Sequence, residues 1–191
     1  MQVARREVQR AARSPEPKIE APVEEHIDEE LLRPGGAFVT LHRGRHLRGC
    51  IGQLPSDEAL VSVVAHCAKA AATEDPRFKA VRGDEIAKIN IEISVLSPLV
   101  DAGVEEIQPG THGIVLTKGT RRGVLLPQVA EKFHWSAIRF LEETCVKAEL
   151  DRNAWKDPEA KVQIFTAEIF SEPAYSTSSA GARVSDHISK A

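Results

Sequence analysis

The chain has 191 residues, of which 42% are hydrophobic and 28% charged, and its formal net charge is −3. This length and apolar content predict one globular domain, or one domain divided into two lobes. The slightly acidic balance lacks the overall basic field of a general nucleic-acid binder, although it allows a local basic patch. Because no apolar run approaches the roughly 18 residues that span a bilayer and no apolar secretory signal begins the chain, we expect a cytoplasmic protein without membrane association.

The three cysteines, Cys50, Cys67 and Cys145, include no CxxC pair. Such a sparse, odd set indicates a reducing compartment rather than a disulfide framework. Cys67 and Cys145 fall on the apolar stripes of predicted helices, where cysteine packs as a small hydrophobe.

The N-terminal half is predicted to contain two helices and one hairpin. Residues 1–13 form a short amphipathic helix, and the acidic residues 14–30, with three prolines, form a surface linker. Residues 37–42 and 45–51 pair as a hairpin around Arg43-Gly44. Ser56 or Asp57 caps the next helix, which ends near Asp75-Pro76 because the proline restricts the residue before it.

The C-terminal half begins with the clearest strand in the chain, residues 89–95, in which isoleucines alternate with polar residues. A second hairpin is predicted from residues 114–117 and 120–126. A helix over 136–149 is predicted to bury Ile138, Leu141, Cys145 and Ala148, and 161–170 forms one last strand. Residues 173–191 lack an apolar pattern and are predicted to be disordered. Strands in hairpins with helices between them predict an α+β fold with a mostly antiparallel or mixed sheet.

Cys50 stands in the basic, glycine-flanked segment HLRGCIG. On an extended strand it shares a face with Arg48 and His46, and a guanidinium about 7 Å along that face would favour the thiolate. Gly49 and Gly52 leave the backbone open to a ligand. The alternative is a buried, packing cysteine beside glycines that serve a bulge or turn, and the residues alone leave both interpretations open.

The segment TEDPRF follows the predicted second helix and offers a carboxylate and a guanidinium. Glu74, Asp75 and Arg77 either fix a turn by capping and ion pairing or present their charges to a cleft. Turn chemistry is the favoured interpretation of this segment by itself.

Both hairpins are basic, and if they converge they form an anion site for phosphate or carboxylate. The alternative is two solvated hairpin tips. The residues concerned are Arg43, Arg45 and Arg48 in the first hairpin, and His112, Lys118, Arg121 and Arg122 in or next to the second. No metal site is predicted, because His42 and His46 lie on a hairpin and the neighbours His66 and Cys67 point in different directions. The sequence contains no dinucleotide fingerprint, Walker motif or serine-hydrolase elbow.

Six blocks occur in a fixed order: GAFVTLHRGRHLRGCIG, EDPRF, INIEISVLSP, HGIVL, RRGVLLPQVA and FTAEIF. Together they resemble the AMMECR domain family, whose prokaryotic members are called AmmeMemoRadiSam system protein A. The hexapeptide LRGCIG at residues 47–52 is the hallmark of that family. The resemblance predicts an AMMECR-like domain over residues 1–172.

The resemblance implies an α+β fold with a larger and a smaller lobe and with LRGCIG near the cleft between them. It also implies association with a Memo-like protein and a radical SAM protein, because family members are encoded beside both. One departure from the family pattern is the charged segment FKAVRGDEI, residues 78–86, where a more apolar, proline-containing link is expected at the cleft rim.

Three functional hypotheses follow. In the first, the protein is an enzyme for an anionic small molecule or modified macromolecule, with Cys50 as nucleophile or thiol acid/base. Arg48 then lowers the pKa of Cys50 or binds the anion, and Arg77, Arg121 and Arg122 are further anion-binding candidates. His46 or His112 moves protons and Glu74 orients a base; the cofactor, if any, is unknown. In the second, it is a non-catalytic partner of the Memo-like and radical SAM proteins. The third, disfavoured hypothesis is salt-sensitive nucleic-acid binding through the basic hairpins.

Overall fold

The structure, a computed structural model, describes residues 1–12 and 28–173. Within them lie four α-helices: α1 (Gln2–Ala12), α2 (Leu60–Thr73), α3 (Pro127–Phe133) and α4 (Ala137–Lys147). The eight strands are β1 (Gly36–Arg43), β2 (His46–Gln53), β3 (Ile89–Leu96), β4 (Val100–Asp101), β5 (Gly113–Lys118), β6 (Arg121–Leu125), β7 (Lys161–Phe165) and β8 (Ala167–Ser171). The fold is α+β, as predicted. Most of the predicted linker and disordered tail lies outside the described residues, but residues 29–32 form a short 3-10 helix.

The first lobe is built on a four-stranded antiparallel sheet in the order β2-β1-β3-β8. Helices α1 and α2 share a core with one face of this sheet. The alternation of β3 sends Ile89, Ile91 and Ile93 into that core, as the sequence predicts. Ala4 and Val8 of α1 are buried in the same cluster, which confirms the predicted apolar face of the first helix.

The second lobe contains an antiparallel sheet in the order β4-β7-β5-β6, with α4 packed against β5 and β6. Leu141 and Cys145 of α4 are buried as predicted, but the prediction for Ile138 is wrong, because this residue is 52% exposed. Phe140 is buried in its place, packed in a cluster with Ile114. The sequence analysis also missed α3, which begins with Pro127 at its first position.

The predicted last strand is two strands that belong to different sheets. β7 pairs with β4 and β5 in the second lobe, whereas β8 pairs with β3 in the first. The chain crosses between the sheets at Thr166, whose backbone N–H donates to Ser97 Oγ at 3.0 Å and whose carbonyl accepts from the Ser97 N–H at 3.0 Å. These hydrogen bonds satisfy the backbone of Thr166 at the point where β7 ends and β8 begins. The sequence pattern alone does not reveal this division.

A small apolar cluster joins the lobes. Phe38 of β1 and Leu54 pack there with Val115 of β5 and Phe165 of β7. The loop after Leu54 leads into α2 without the predicted cap, because Ser56 Oγ accepts the N–H of Glu58 instead of a helix N–H. No helix in the described ranges has the length and apolar content to cross a membrane.

Candidate functional site

Cys50 lies in β2, the edge strand of the first sheet, and its outward backbone groups are bonded by side chains. The Cys50 N–H donates to Asp75 Oδ2 at 2.8 Å, and Arg77 Nη2 donates to the Cys50 carbonyl at 3.2 Å. Asp75 and Arg77 therefore supply an acceptor and a donor where a neighbouring strand would otherwise pair. This arrangement closes the free edge of the sheet at Cys50.

Asp75 is a buried carboxylate, only 4% exposed. It lies just beyond α2, which ends at Thr73 ahead of Pro76. Its two oxygens accept from Arg77 Nε at 2.9 Å and Nη2 at 2.7 Å, and Oδ1 also accepts the Arg77 backbone N–H at 3.0 Å. The hydrogen bonds from Arg77 hold the pKa of Asp75 well below its ordinary value. Asp75 is therefore an anionic anchor that fixes both Arg77 and Cys50.

The thiol of Cys50 is half-buried and reduced. Thr40 is its register partner on β1, and the Thr40 hydroxyl donates to Cys50 Sγ at 3.4 Å. The Arg77 side chain next to it is 55% exposed. The pKa of Arg77 is raised, first by its hydrogen bonds to Asp75 and in smaller part by the Cys50 side chain. The cation beside the thiol is therefore Arg77.

Other residues of the protein pack directly against the two glycines near Cys50. A Cβ at Gly49 would overlap the carbonyl oxygen of Ala71 in α2. A Cβ at Gly52 would overlap the ring of Phe38, its register partner. The expected ligand access is therefore replaced by close packing at both positions. Alternation along β2 places Cys50 and Gly49 on opposite faces of the sheet. The Cys50 face is the one from which Phe38 extends to the junction of the lobes.

Arg48 is engaged elsewhere. The β1–β2 register shifts between Leu41 and His42, so that a bulge lies opposite them at Arg48. Its guanidinium makes a fork with Glu85, at 3.0 Å and 2.9 Å, and donates to the carbonyls of Lys79 at 2.8 Å and Ala80 at 3.1 Å. Glu85 is 13% exposed, and hydrogen bonds from Arg48 lower its pKa from 4.5 to about 2. Arg48 therefore holds the segment that precedes β3.

The other predicted site residues lie away from the thiol. His46 is exposed at the start of β2, and Glu74 is exposed at the end of α2. Nδ1 of His112 accepts the Gln108 N–H at 3.2 Å. Arg121 donates to the Glu149 carbonyl, and Arg122 donates to Thr117 Oγ1 at 3.3 Å. No hydrogen bond or ion pair between described residues joins any of these five side chains to Cys50.

The two basic hairpins bind local partners. In the first lobe, Arg43 and Arg48 face Glu85. In the second, Lys118 binds Asp157 and Arg121 binds the Glu149 carbonyl. No hydrogen bond or ion pair of the described residues joins the two tips. The anion site predicted from their convergence therefore remains a prediction without structural support.

The blocks noted in the sequence and the two-sheet architecture agree with a match over most of the chain. The AMMECR1 family model matches residues 1–170. The chain belongs to the AMMECR1 family. A protein of Aquifex aeolicus is 38% identical over 161 residues, which is 80% of this chain and 83% of that protein. A Pyrococcus furiosus protein, PF1979, is 40% identical over 183 residues, which is 90% of this chain and 86% of that protein.

A crystal structure shows the same fold within the AMMECR1 family. Uncharacterized protein PH0010 from Pyrococcus horikoshii superposes with a TM-score of 0.79 at 38% identity. The match covers 91% of this chain and 89% of that one. The names of these relatives state no activity.

The remaining cysteines of this AMMECR1-family protein are core residues. Burial raises the pKa of the Cys67 thiol to about 11 and also raises the pKa of Cys145. Within the described ranges, no group of three or more histidine, cysteine or acidic side chains is gathered as metal ligands. Cys50, in contrast, is only partly buried.

The favoured turn interpretation of Asp75 and Arg77 is confirmed, because Asp75 accepts the Arg77 N–H and pairs with its guanidinium. The sequence did not predict the hydrogen bond from the Cys50 N–H to Asp75, and it gave Glu85 no role. The signal for Asp75 was present, because an aspartate that follows a helix end and precedes Pro-Arg is placed to accept hydrogen bonds. Nothing local pointed to Glu85, which is 37 positions from Arg48 in the chain.

Proposed function

We propose that this AMMECR1-family protein is a thiol-dependent enzyme with Cys50 as its reactive group and Arg77 as the anion-binding group beside it. The substrate is then an anionic small molecule or an anionic group on a modified macromolecule. The observation that carries the proposal is the Cys50–Asp75–Arg77 arrangement. It holds a half-buried thiol and a half-exposed guanidinium side by side.

The arrangement favours a site over simple edge protection because Arg77 retains a donor. Its Nε and Nη2 are engaged by Asp75 and the Cys50 carbonyl, whereas no hydrogen bond joins Nη1 to an oxygen atom of the described residues, and the guanidinium also interacts with the Cys50 side chain. Arg77 also lies over the ring of Phe78, 5.6 Å from its centroid, which limits its orientations. A guanidinium fixed on two sides presents its remaining N–H groups to a carboxylate or phosphate at low entropic cost.

We expect Cys50 to prefer an anionic alkylating agent over a neutral one. Iodoacetate and iodoacetamide alkylate a thiol through a similar methylene carbon, but only iodoacetate offers a carboxylate to Arg77. The ratio of the iodoacetate rate to the iodoacetamide rate at Cys50 should be about tenfold higher in native protein than in urea-unfolded protein, because one charge-assisted hydrogen bond contributes about 1.5 kcal/mol. Peptide-level mass spectrometry after timed quenching measures it, with Cys67 and Cys145 as buried internal controls.

Two variants separate the role of Arg77 from general surface charge. Arg77→Gln should bring the ratio at Cys50 back to the unfolded value, whereas Arg122→Gln removes one exposed guanidinium of the second lobe and should leave it unchanged. A ratio in native protein equal to that in unfolded protein contradicts the proposal, as does an undiminished ratio in Arg77→Gln. Circular dichroism establishes that each variant is folded.

The second candidate function is that of a non-catalytic partner of Memo-like and radical SAM proteins. It is favoured by exposed aromatic and aliphatic side chains on the second lobe. Phe133 is 55% exposed and stacks on Trp135 with ring centroids 5.0 Å apart, and Ile138 nearby in the chain is also exposed. Exposed apolar groups of this kind are enriched at interfaces.

We expect Phe133→Ser and Ile138→Ser to weaken such an association at least about tenfold, because buried aromatic anchors dominate interface energetics. The measurement is sedimentation velocity of the purified chain with a purified Memo-like or radical SAM protein at micromolar concentration. Ile169→Ser, which removes an exposed apolar residue of the first lobe, is the matched control. Absence of a complex with either protein removes this candidate.

A further inference from the structure

A basic pocket of about 300 Å³ lies at the tip of the β1–β2 hairpin. The hairpin forms one wall, and the segment between α2 and β3 forms the other. Five of the lining side chains are basic: Arg43, Arg48, Lys79, Arg82 and Lys88. Two are acidic, which gives the lining a net charge of three positive in a chain whose own net charge is negative.

Arg48 and Glu85 form a rigid floor for this pocket. Both side chains are largely buried, and their fork is reinforced by the carbonyls of Lys79 and Ala80. Glu85 also accepts the backbone N–H of Arg82 at 3.0 Å. The floor is nearly neutral, and it fixes both walls at a defined separation.

The remaining basic groups keep free donors around the opening. The Arg43 side chain is half-exposed and approaches Glu85 only at 3.5 Å. The ammonium groups of Lys79 and Lys88 form no ion pair with another described residue. Arg82 pairs with Asp84 at 3.1 Å, and both of these side chains are exposed at the rim. Four cations thus surround one concavity with only one rim carboxylate between them.

We propose that this pocket binds a small molecule carrying a phosphomonoester or diphosphate group. Several charge-assisted donors on a concave surface match a group with at least two negative charges and many acceptor oxygens. The volume is at the lower end of the range for small-ligand sites. The wall opposite the hairpin comes from residues 79–88, which overlap the charged segment that departs from the family pattern in the sequence.

The bound group is a free small molecule rather than a nucleic-acid backbone. The cations are gathered in one cavity instead of along a stripe, and the exposed carboxylate of Asp84 would repel phosphates that continued past the rim. The pocket does not include Cys50 or Arg77. The inference therefore does not depend on thiol chemistry.

Isothermal titration calorimetry with inorganic pyrophosphate tests the site directly. The full chain at about 50 mM salt, a regime in which electrostatic binding is well expressed, should bind one equivalent. Lys79→Met/Lys88→Met should lower the association constant at least tenfold. Lys132→Met/Lys147→Met removes the same charge from helices of the second lobe and should leave the constant unchanged. Asp84→Asn should raise the constant, because it frees Arg82, and a merely destabilised variant would not show this gain.

Each outcome decides the proposal. Binding that is lost only in the Lys79/Lys88 variant and persists in Cys50→Ala supports it, whatever the alkylation experiment shows. No pyrophosphate binding, or binding equally reduced by the control pair, overturns it. A single-stranded 12-mer RNA forms the second arm. RNA binding that requires Lys79 and Lys88 and is not displaced by pyrophosphate overturns the small-molecule assignment.

Discussion

Gly49→Ala is expected to lower the free energy of unfolding by about 3 kcal/mol, at the upper end of overpacking costs. A methyl group at this position would overlap the Ala71 carbonyl oxygen of α2. That oxygen is backbone, so relief requires moving the whole helix from the sheet rather than turning a side chain. Helix α2 carries Val63, Cys67 and Ala71 into the core of the first lobe, and a displacement would loosen all of these contacts. Urea unfolding followed by circular dichroism measures the loss.

Gly83→Ala is the matched control for this prediction. A methyl group at Gly83 would lie 3.6 Å from the Ala12 carbonyl oxygen, which is ordinary van der Waals contact. The stability of Gly83→Ala should therefore stay within about 0.5 kcal/mol of the parent protein. If Gly49→Ala were no less stable than Gly83→Ala, this result would contradict the close contact between the Ala71 carbonyl of α2 and Gly49 of β2.

Gly49 illustrates what the sequence alone could not decide. From the sequence, the flanking glycines of LRGCIG either leave the backbone open to a ligand or serve a bulge or turn. The approaching groups are Ala71 and Phe38 of the same chain, not a ligand. The identity of the group is set by tertiary packing, which residue types next to Cys50 do not encode.

The elements that follow from local patterns were predictable. Both hairpins, β3 and the apolar faces of α1 and α2 depend on alternation or helical spacing, and the structure contains all of them. The division between β7 and β8 was not predictable, because no glycine, proline, asparagine or aspartate interrupts that stretch. Only pairing with two different sheets, and the hydrogen bonds between Thr166 and Ser97, define where one strand ends.

The site was predictable in its residue types but not in its pairings. The sequence placed Arg48 beside Cys50 by strand parity, but the bulge and the buried carboxylate of Glu85 direct the guanidinium elsewhere. Arg77 forms the predicted turn with Asp75 and, in addition, donates to the Cys50 carbonyl. The tertiary fold determines which charged residues that are distant in the chain form ion pairs. Composition and spacing therefore identify the charged residues but not the partner of each.

Asp75→Asn is expected to lower the free energy of unfolding by about 3 kcal/mol at pH 7, since it removes the charge of a buried carboxylate and leaves donors around it unsatisfied. The amide accepts fewer of the four hydrogen bonds that Arg77 and the Cys50 N–H now donate to the carboxylate, and its own N–H groups face donors. The edge of β2 at Cys50 would lose its closure. Urea unfolding at pH 7 measures the effect. Asp101→Asn, at an exposed pair with Lys161, serves as the control and should match the parent protein.

The same variant should change how stability depends on pH. Asp75 has a folded pKa below its ordinary 3.8, because Arg77 donates hydrogen bonds to it, and Arg48 lowers that of Glu85 from 4.5 to about 2. A carboxyl group with a lowered folded pKa contributes its full stabilisation above the unfolded pKa and loses it as the pH falls toward the folded value. The parent protein should therefore lose stability from about pH 5 downward, as both carboxylates begin to bind protons in the unfolded chain.

Asp75→Asn should lose less stability over the same pH interval, because only the contribution of Glu85 to the pH dependence remains. Parallel pH profiles for the parent and the variant would show that Asp75 is not the buried anion that holds Cys50 and Arg77 together.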